Sequence, residues 1–212
     1  DALTPDSTGN YQGDIIITAT KRSQTLSEVP IAVSAVTGDQ LRNSGAVDIR
    51  ALNQLSPSLL VSSASAETSG AARIRGIGTV GENPGLESSV ATFIDGVYRS
   101  RTGVGLSELG GVERIEVLRG PQGTLFGRNA SAGLISITTL RPKFDIGGYA
   151  SASYGNYNAI RLEGGVTGGI TDKVAARLDG VYFKRDGFIE NVIDGRDVKT
   201  VPPTLTEVAV LR

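Results

Sequence analysis

The chain has 212 residues, 28 of them Gly, with 21 basic against 22 acidic side chains and no Cys, His, Met or Trp. Without Cys or His there can be no disulfide framework, thiolate site, zinc finger, imidazole acid/base pair or Ser-His-Asp triad. A net charge of −1 with no basic run argues against a nucleic-acid surface, whose electrostatics need clustered Lys and Arg.

Gly, Pro, Ser, Thr, Asn and Asp dominate residues 1–13, which show no apolar periodicity and read as a flexible leader. Next comes Asp14-Ile-Ile-Ile-Thr-Ala-Thr20, a β-branched run of extended propensity with no obvious strand partner. Val29 to Val36 is strand-like. Thr37 or Asp39 can cap a short helix through Gln40, Leu41 and Arg42 that Gly45 ends, and Asp48 can cap a second, Ile49 to Leu55, stopped by Ser56-Pro57. Strands are expected at Ala72 to Arg75, Val90 to Ile94, Val112 to Leu118 and Leu134 to Thr138, separated by Gly-rich stretches. Together these elements predict a small α+β domain.

After Arg141-Pro142 alternation becomes the main signal. Ile160, Leu162, Gly164, Val166, Gly168 and Ile170 fall on one face, with Arg161, Glu163, Gly165, Thr167 and Gly169 on the other. Thr171-Asp172-Lys173 reads as a tight turn. The next run sets Val174, Ala176, Leu178, Gly180 and Tyr182 opposite Ala175, Arg177 and Asp179, so the two runs predict a hairpin. Tyr149 to Tyr157 reads as an earlier strand and Thr204 to Arg212 as a later one, after a long polar connection, Asp186 to Pro203.

Such alternation suits either a half-buried sheet of a soluble protein or a wall of a transmembrane β-barrel. Short turns alternating with long polar connections, and tyrosines near strand ends, favour the barrel. No window approaches the ~18 consecutive apolar residues of a membrane-spanning helix, a test to which barrel strands are blind.

Three literal motif matches lose their meaning in context. Gly76-Ile-Gly78-Thr-Val-Gly81 matches GxGxxG, but Glu82-Asn-Pro84-Gly85 is a turn where a helix should open, and no acidic residue follows at the required distance. Gly120-Pro-Gln-Gly123-Thr-Leu-Phe-Gly127-Arg128 lacks phosphate-loop spacing, and its glycines suit tight turns or close packing. Glu108, Glu113 and Glu116 lie close in sequence. On a strand Glu113 and Glu116 fall on opposite faces, which predicts no convergent carboxylate pair, only surface charge or an ion pair with Arg114.

The run Val112-Glu-Arg-Ile-Glu-Val-Leu-Arg-Gly-Pro-Gln-Gly-Thr-Leu-Phe-Gly-Arg-Asn-Ala-Ser-Ala-Gly-Leu-Ile-Ser-Ile137 closely resembles the plug domain of TonB-dependent outer-membrane receptors. Val29 to Leu41, Ile74-Arg-Gly76 and Phe93-Ile-Asp-Gly-Val-Tyr98 resemble further plug elements in the family's order, and Asp14 to Thr20 resembles a TonB box. The resemblance implies a leader (1–13), a TonB box (14–20), an α+β plug (21–141) and the first antiparallel strands (142–212) of a barrel with 22 strands in the family.

It further implies active import of a scarce nutrient, such as a ferric siderophore, across the bacterial outer membrane. TonB would engage Asp14, Ile15, Ile16, Ile17, Thr18, Ala19 and Thr20 by β-augmentation, and no covalent chemistry or cofactor would be involved. Arg75 and Arg119 occupy the positions of two plug arginines that pair with barrel glutamates. Guanidinium forks suit that role, and ordinary fold-stabilising pairs are the competing reading. Glu82, Asn83, Tyr98, Arg99 and Arg101 lie where apical loops meet ligand, and the arginines suit an anionic one. The 13 residues before Asp14 imply transport without a signalling domain. After Asp145 there remain 67 residues, enough for about four strands, whereas bacterial barrels start at 8, so this sequence supplies only part of a wall. The alternative is a soluble periplasmic plug-like binding domain whose alternating strands pack on the plug.

Overall fold

The computed structural model describes residues 16–17, 24–44, 52–63, 70–78, 87–100, 111–186, 189–190, 197–198 and 201–211. Contacts divide the chain into two compact units, Asp1–Ser107 with Val112–Thr139 and Glu108–Gly111 with Leu140–Arg212.

The first unit opens with a two-residue strand, β1 (Ile16–Ile17), paired antiparallel with β2 (Gln24–Thr25), and a 3-10 turn, Leu26–Glu28. Its five-stranded sheet has the order β3-β8-β9-β6-β7, with β3 (Val33–Thr37), β6 (Val90–Ile94), β7 (Val97–Arg99), β8 (Val112–Arg119) and β9 (Gly133–Thr139). Only β6 and β9 run parallel. Along β9 nearly every residue is buried, the pattern of a central strand covered on both faces. Leu118, Leu134, Ala91 and Ala130 form one packed cluster, with Phe93, Tyr98 and Phe126 against it.

Local signals set the short elements. Helix α1 (Gly38–Asn43) starts on Thr37, whose hydroxyl accepts from Gln40 N while the Gln40 side chain accepts from Thr37 N, a complete capping box. The helix stops at Ser44; Gly45 and Asp48, expected as a stop and a second cap, lie outside the described residues. Helix α2 (Leu52–Leu55) is followed by β4 (Leu59–Ser63), which pairs with β5 (Gly70–Ile74). Asn53 carries part of the β4 edge by bonding both backbone groups of Val61, at 2.7 and 3.1 Å. Helix α3 (Gly123–Phe126) is a single turn inside the Gly120–Arg128 loop that sequence had assigned to turns and packing alone.

Boundaries shift for physical reasons. The strand expected over Val29–Val36 begins only at Val33, because Pro30 supplies no N–H for a ladder. The strand expected to include Arg75 ends at Ile74, because Arg75 enters a two-residue turn. Strand β4 was not foreseen.

The second unit carries a four-stranded antiparallel sheet, β10 (Gly147–Gly155), β11 (Ala159–Thr171), β12 (Val174–Arg185) and β15 (Val201–Leu211), in that spatial order. The predicted hairpin is present: β11 and β12 pair from Ile160↔Lys184 to Thr171↔Val174 around Asp172-Lys173. Within the long connection, β13 (Ile189–Glu190) pairs with β14 (Asp197–Val198). Strand β15 begins at Val201 rather than Thr204; Pro202 and Pro203 fall beside a register shift near the strand start, where ladder donors are dispensable.

Candidate functional site

The β-branched run at the N-terminus has a partner after all: Ile16 is in register with Thr25, and Ile17 with Gln24. Ile17 is fully buried. Each backbone hydrogen bond is worth a net ~0.5–1.5 kcal/mol and full burial of an aliphatic side chain ~1.5–3 kcal/mol, so this hairpin is held by a few kcal/mol. Asp14, Ile15, Thr18, Ala19 and Thr20 lie outside the described residues, as do Glu82, Asn83 and Arg101.

Arg75 and Arg119 occupy different settings in the first unit. Ile74 and Ile77 exchange backbone hydrogen bonds across Arg75-Gly76, whose φ angles of 54° and 79° are both left-handed, as a type I′ turn requires. Gly76 suits that region; Arg75 does not, and its N–H is tied to Ser58 O at 2.8 Å. The turn therefore holds Arg75 out at an exposed tip. Arg119 ends β8, its backbone N–H bonded to Ala32 O at 2.9 Å and its guanidinium making two long 3.5 Å contacts to Ala32 O and Val33 O. Among the described residues neither arginine forms an ion pair with a carboxylate.

A second I′ turn, Asp95-Gly96 with φ of 49° and 78°, joins β6 to β7. The Asp95 carboxylate accepts from Thr139 N at 2.9 Å and from Thr139 Oγ1 at 2.8 Å, fixing the end of β9. On β7, Arg99 is exposed, whereas Tyr98 is half-buried. The Tyr98 ring packs against Phe93 at 5.6 Å, and its hydroxyl accepts from Asn129 Nδ2 at 2.8 Å. Tyr98 thus ties the β6–β7 hairpin to the loop before β9.

The carboxylates of β8 correct one expectation. Glu116 is fully buried, not surface charge, and both it and Glu113 bond Arg114, Glu116 Oε1 at 2.8 Å from Arg114 Nε. A register shift between Val112 and Arg114 breaks the strict alternation that predicted divergence. The ion pair with Arg114 was anticipated.

The wall sheet holds the feature that sequence missed. Its apolar face is the exposed one: Leu162, Val166, Ile170, Val174 and Leu178 are 47, 61, 64, 38 and 43% exposed. The polar face is buried. Arg177 donates from Nε to Asp179 Oδ2 at 2.6 Å and from its NH2 group to Oδ1 at 2.7 Å, with both side chains under a tenth exposed. The Arg177 guanidinium lies 5.7 Å over the Tyr149 ring. Space for the Asp179 carboxylate exists only because two facing residues lack a side chain. A Cβ on Gly165 would fall 2.1 Å from Asp179 Oδ1, and one on Gly111 2.8 Å from Asp179 Cγ. The alternation of Arg177 and Asp179 was visible in the sequence, but not which side of the sheet they would occupy.

Among the described residues no group of three or more acidic side chains could hold a metal ion, and no helix is long and apolar enough to cross a membrane, which says nothing of a β-barrel.

Against known proteins, the TonB-dependent Receptor Plug Domain family matches residues 25–134. The ferrioxamine B receptor of Salmonella typhimurium is 31% identical over 169 residues, 77% of this chain and 23% of its own length. The pesticin receptor of Yersinia pestis is 27% identical over 164 residues, 76% of this chain and 24% of its own. Among solved structures, the ferric yersiniabactin uptake receptor FyuA from Yersinia pestis superposes with a TM-score of 0.74 at 23% identity, over 85% of this chain and 28% of that one. The chain spans about a quarter of the length of the curated relatives it matches.

Proposed function

This chain belongs to the TonB-dependent receptor plug family, and from that premise we propose that it forms the gate and part of the barrel wall of an outer-membrane importer for a scarce ligand, a ferric siderophore or similar chelate. The observation that carries this reading is the inverted wall, apolar side chains outward and an ion pair inward, on the same chain as a plug sheet. In water, each large aliphatic left exposed forgoes up to ~1.5–3 kcal/mol, whereas in a bilayer the same face is solvated. β11 has 13 residues, which at about 3.3 Å each and a ~40° tilt rise about 33 Å, enough for the ~25 Å apolar band of an outer-membrane barrel.

The edges of β10 and β15 would leave backbone groups unsatisfied in lipid, so further strands close the wall, 22 in all by family resemblance. The plug faces the periplasm. The family is one of receptors and transporters, and the chain works by binding and gating rather than by covalent catalysis. A soluble plug-like domain would instead have its apolar strand face turned inward.

Asp14–Thr20 acts as the TonB box. Its pairing with Gln24–Thr25 is a stowed state, and TonB takes over the strand by offering a longer sheet edge to the same backbone groups. The few kcal/mol holding the hairpin are within what such an exchange replaces. Arg75 and Arg119 pair with barrel glutamates, bonds that can be broken and remade as the plug moves. Glu82, Asn83, Tyr98, Arg99 and Arg101 meet the ligand, with Arg99 and Arg101 drawn to its negative charge. The relatives named for ferrioxamine B and ferric yersiniabactin make an iron chelate the first class to test.

Cells producing the complete gene product would be assayed for uptake of radiolabelled ferric chelates, ferrioxamine B first, with and without TonB. Uptake should need TonB, and Ile16→Pro, which removes a pairing N–H, should reduce it to the TonB-less background. Gln24→Pro should weaken the stowed hairpin alone and tighten binding of the purified TonB periplasmic domain. TonB-independent uptake, or none of any chelate, would overturn the assignment.

A further inference from the structure

The inner face of the wall is buried along one stripe. On β12, Ala175, Arg177, Asp179 and Val181 are each under a tenth exposed, whereas Ser151 and Ser153, on the same face of β10, are exposed. A single layer of strands leaves such a face open, so the stripe has a cover. Gly111 is part of it: this residue belongs to the same compact unit as the wall strands, is itself buried, and lies against the Asp179 carboxylate.

The fit is steric. Tyr149, Gly165 and Asp179 share one register row across three strands. Gly165 leaves a gap that the Asp179 carboxylate and the Tyr149 ring both enter; an added Cβ there would overlap the carboxylate and come within 2.7 Å of the ring. The carboxylate cannot swing aside, because Arg177 holds both of its oxygens. Gly111 meets the same group: an added Cβ would stand 2.8 Å from Asp179 Oδ1 and 3.1 Å from Oδ2. Its φ of 62° is left-handed as well, so space and backbone both call for glycine at 111. The charge of Asp179 is answered by Arg177, and what it offers Gly111 is shape.

Gly111 also marks a neck in the chain. It precedes Val112, the first residue of β8, and its carbonyl accepts from the N–H of Leu140, the residue after β9, at 2.7 Å. Both ends of the β8–β9 pair therefore pass through one hydrogen-bonded point, and that point stands on Asp179.

We infer that Asp179 is a positioning residue of the gate: its clamped carboxylate is the seat for the neck of the β8–β9 pair, and the fit of Gly111 to it holds the closed state while TonB is not engaged. The inference rests on the reading of the chain as part of a gated importer. Arg177, Tyr149 and Gly165 act through Asp179, by fixing where its carboxylate stands.

The complete gene product, reconstituted in planar lipid bilayers without TonB, would be followed by single-channel conductance, with heat-modifiable electrophoretic mobility reporting that each variant is a folded barrel. Wild type should stay closed almost throughout. Gly111→Ala and Gly165→Ala, each of which crowds the carboxylate, should raise the open fraction about tenfold or more. Two changes at Asp179 separate shape from charge. Asp179→Glu keeps the charge but is a methylene too long, and should open the channel as Gly111→Ala does. Asp179→Asn keeps the size and should stay near the wild-type level, although its ion pair with Arg177 is lost. A role in stability alone would give the reverse order. A wild type that conducts steadily overturns the gate reading itself. Folded glycine variants as quiet as the wild type overturn the seat alone, as does an Asp179→Asn channel more open than Asp179→Glu. If the glycine variants do not fold, the order of the two Asp179 variants decides.

Discussion

The plug sheet and the wall sheet are built from similar β-branched and small residues, yet they differ in where their large aliphatic side chains go. In β9 the buried side chains are Leu134, Ile135, Ile137 and Thr138, so large aliphatic residues lie inward on both sides of the strand. Along β12 the buried positions are Ala175, Arg177, Asp179 and Val181, while Val174 and Leu178 are exposed. The wall sheet turns its aliphatic side outward and its ion pair inward, the arrangement that a hydrocarbon medium would solvate. Alternation therefore reports that a sheet has two different faces, and the medium decides which of them is the interior.

The largest test of that contrast is at the inner wall. Asp179→Ala leaves Arg177 charged and buried without its partner, and should cost about 3–5 kcal/mol in the folding equilibrium of the complete receptor. Replacing both residues by leucine should recover most of that loss. Equal stability of the single and double variants would mean that water, not Asp179, satisfies Arg177.

In the plug, Leu118→Ala opens a cavity in the packed cluster and should cost about 2–5 kcal/mol, read as earlier plug unfolding in urea with the wall unaffected. On the lipid side, Val166→Arg near the middle of β11 should cost about 2–4 kcal/mol for folding into vesicles. A similar penalty in the absence of lipid would contradict an outward-facing Val166. Smallest is Thr37→Ala, which removes the capping box of α1 and should cost about 0.5–2 kcal/mol, confined to the plug transition.

Much of the plug was legible because its cues are local. Thr37 and Gln40 announce a helix start through their own hydrogen bonds. Val90–Ile94 is a strand by its composition, as are β8 and β9 to within a residue at each end. Asp95-Gly96 carries I′ turn chemistry that could have been used to predict the β6–β7 hairpin. Other features hid because their cause is distant. Strand β4 exists through β5 and through Asn53, eight residues before Val61. The partner of the N-terminal β-branched run is a polar pair, Gln24-Thr25, with no strand signature of its own.

Taken alone, the sequence determined the chemistry available: no thiol or imidazole catalysis, no run apolar enough for a membrane-spanning helix, a short helix capped at Thr37, and a pair of alternating strands joined at Asp172-Lys173. Its long resemblance around Val112–Ile137 also pointed to the family. Tertiary structure alone decided direction and proximity. It turned the aliphatic side of β11 and β12 outward, buried Arg177 with Asp179 against Gly165, bent β8 so that Glu113 and Glu116 share Arg114, and stowed Ile17. The physical reason is that side-chain period fixes only which residues share a face, whereas burial depends on what else packs against that face, and those neighbours come from far along the chain.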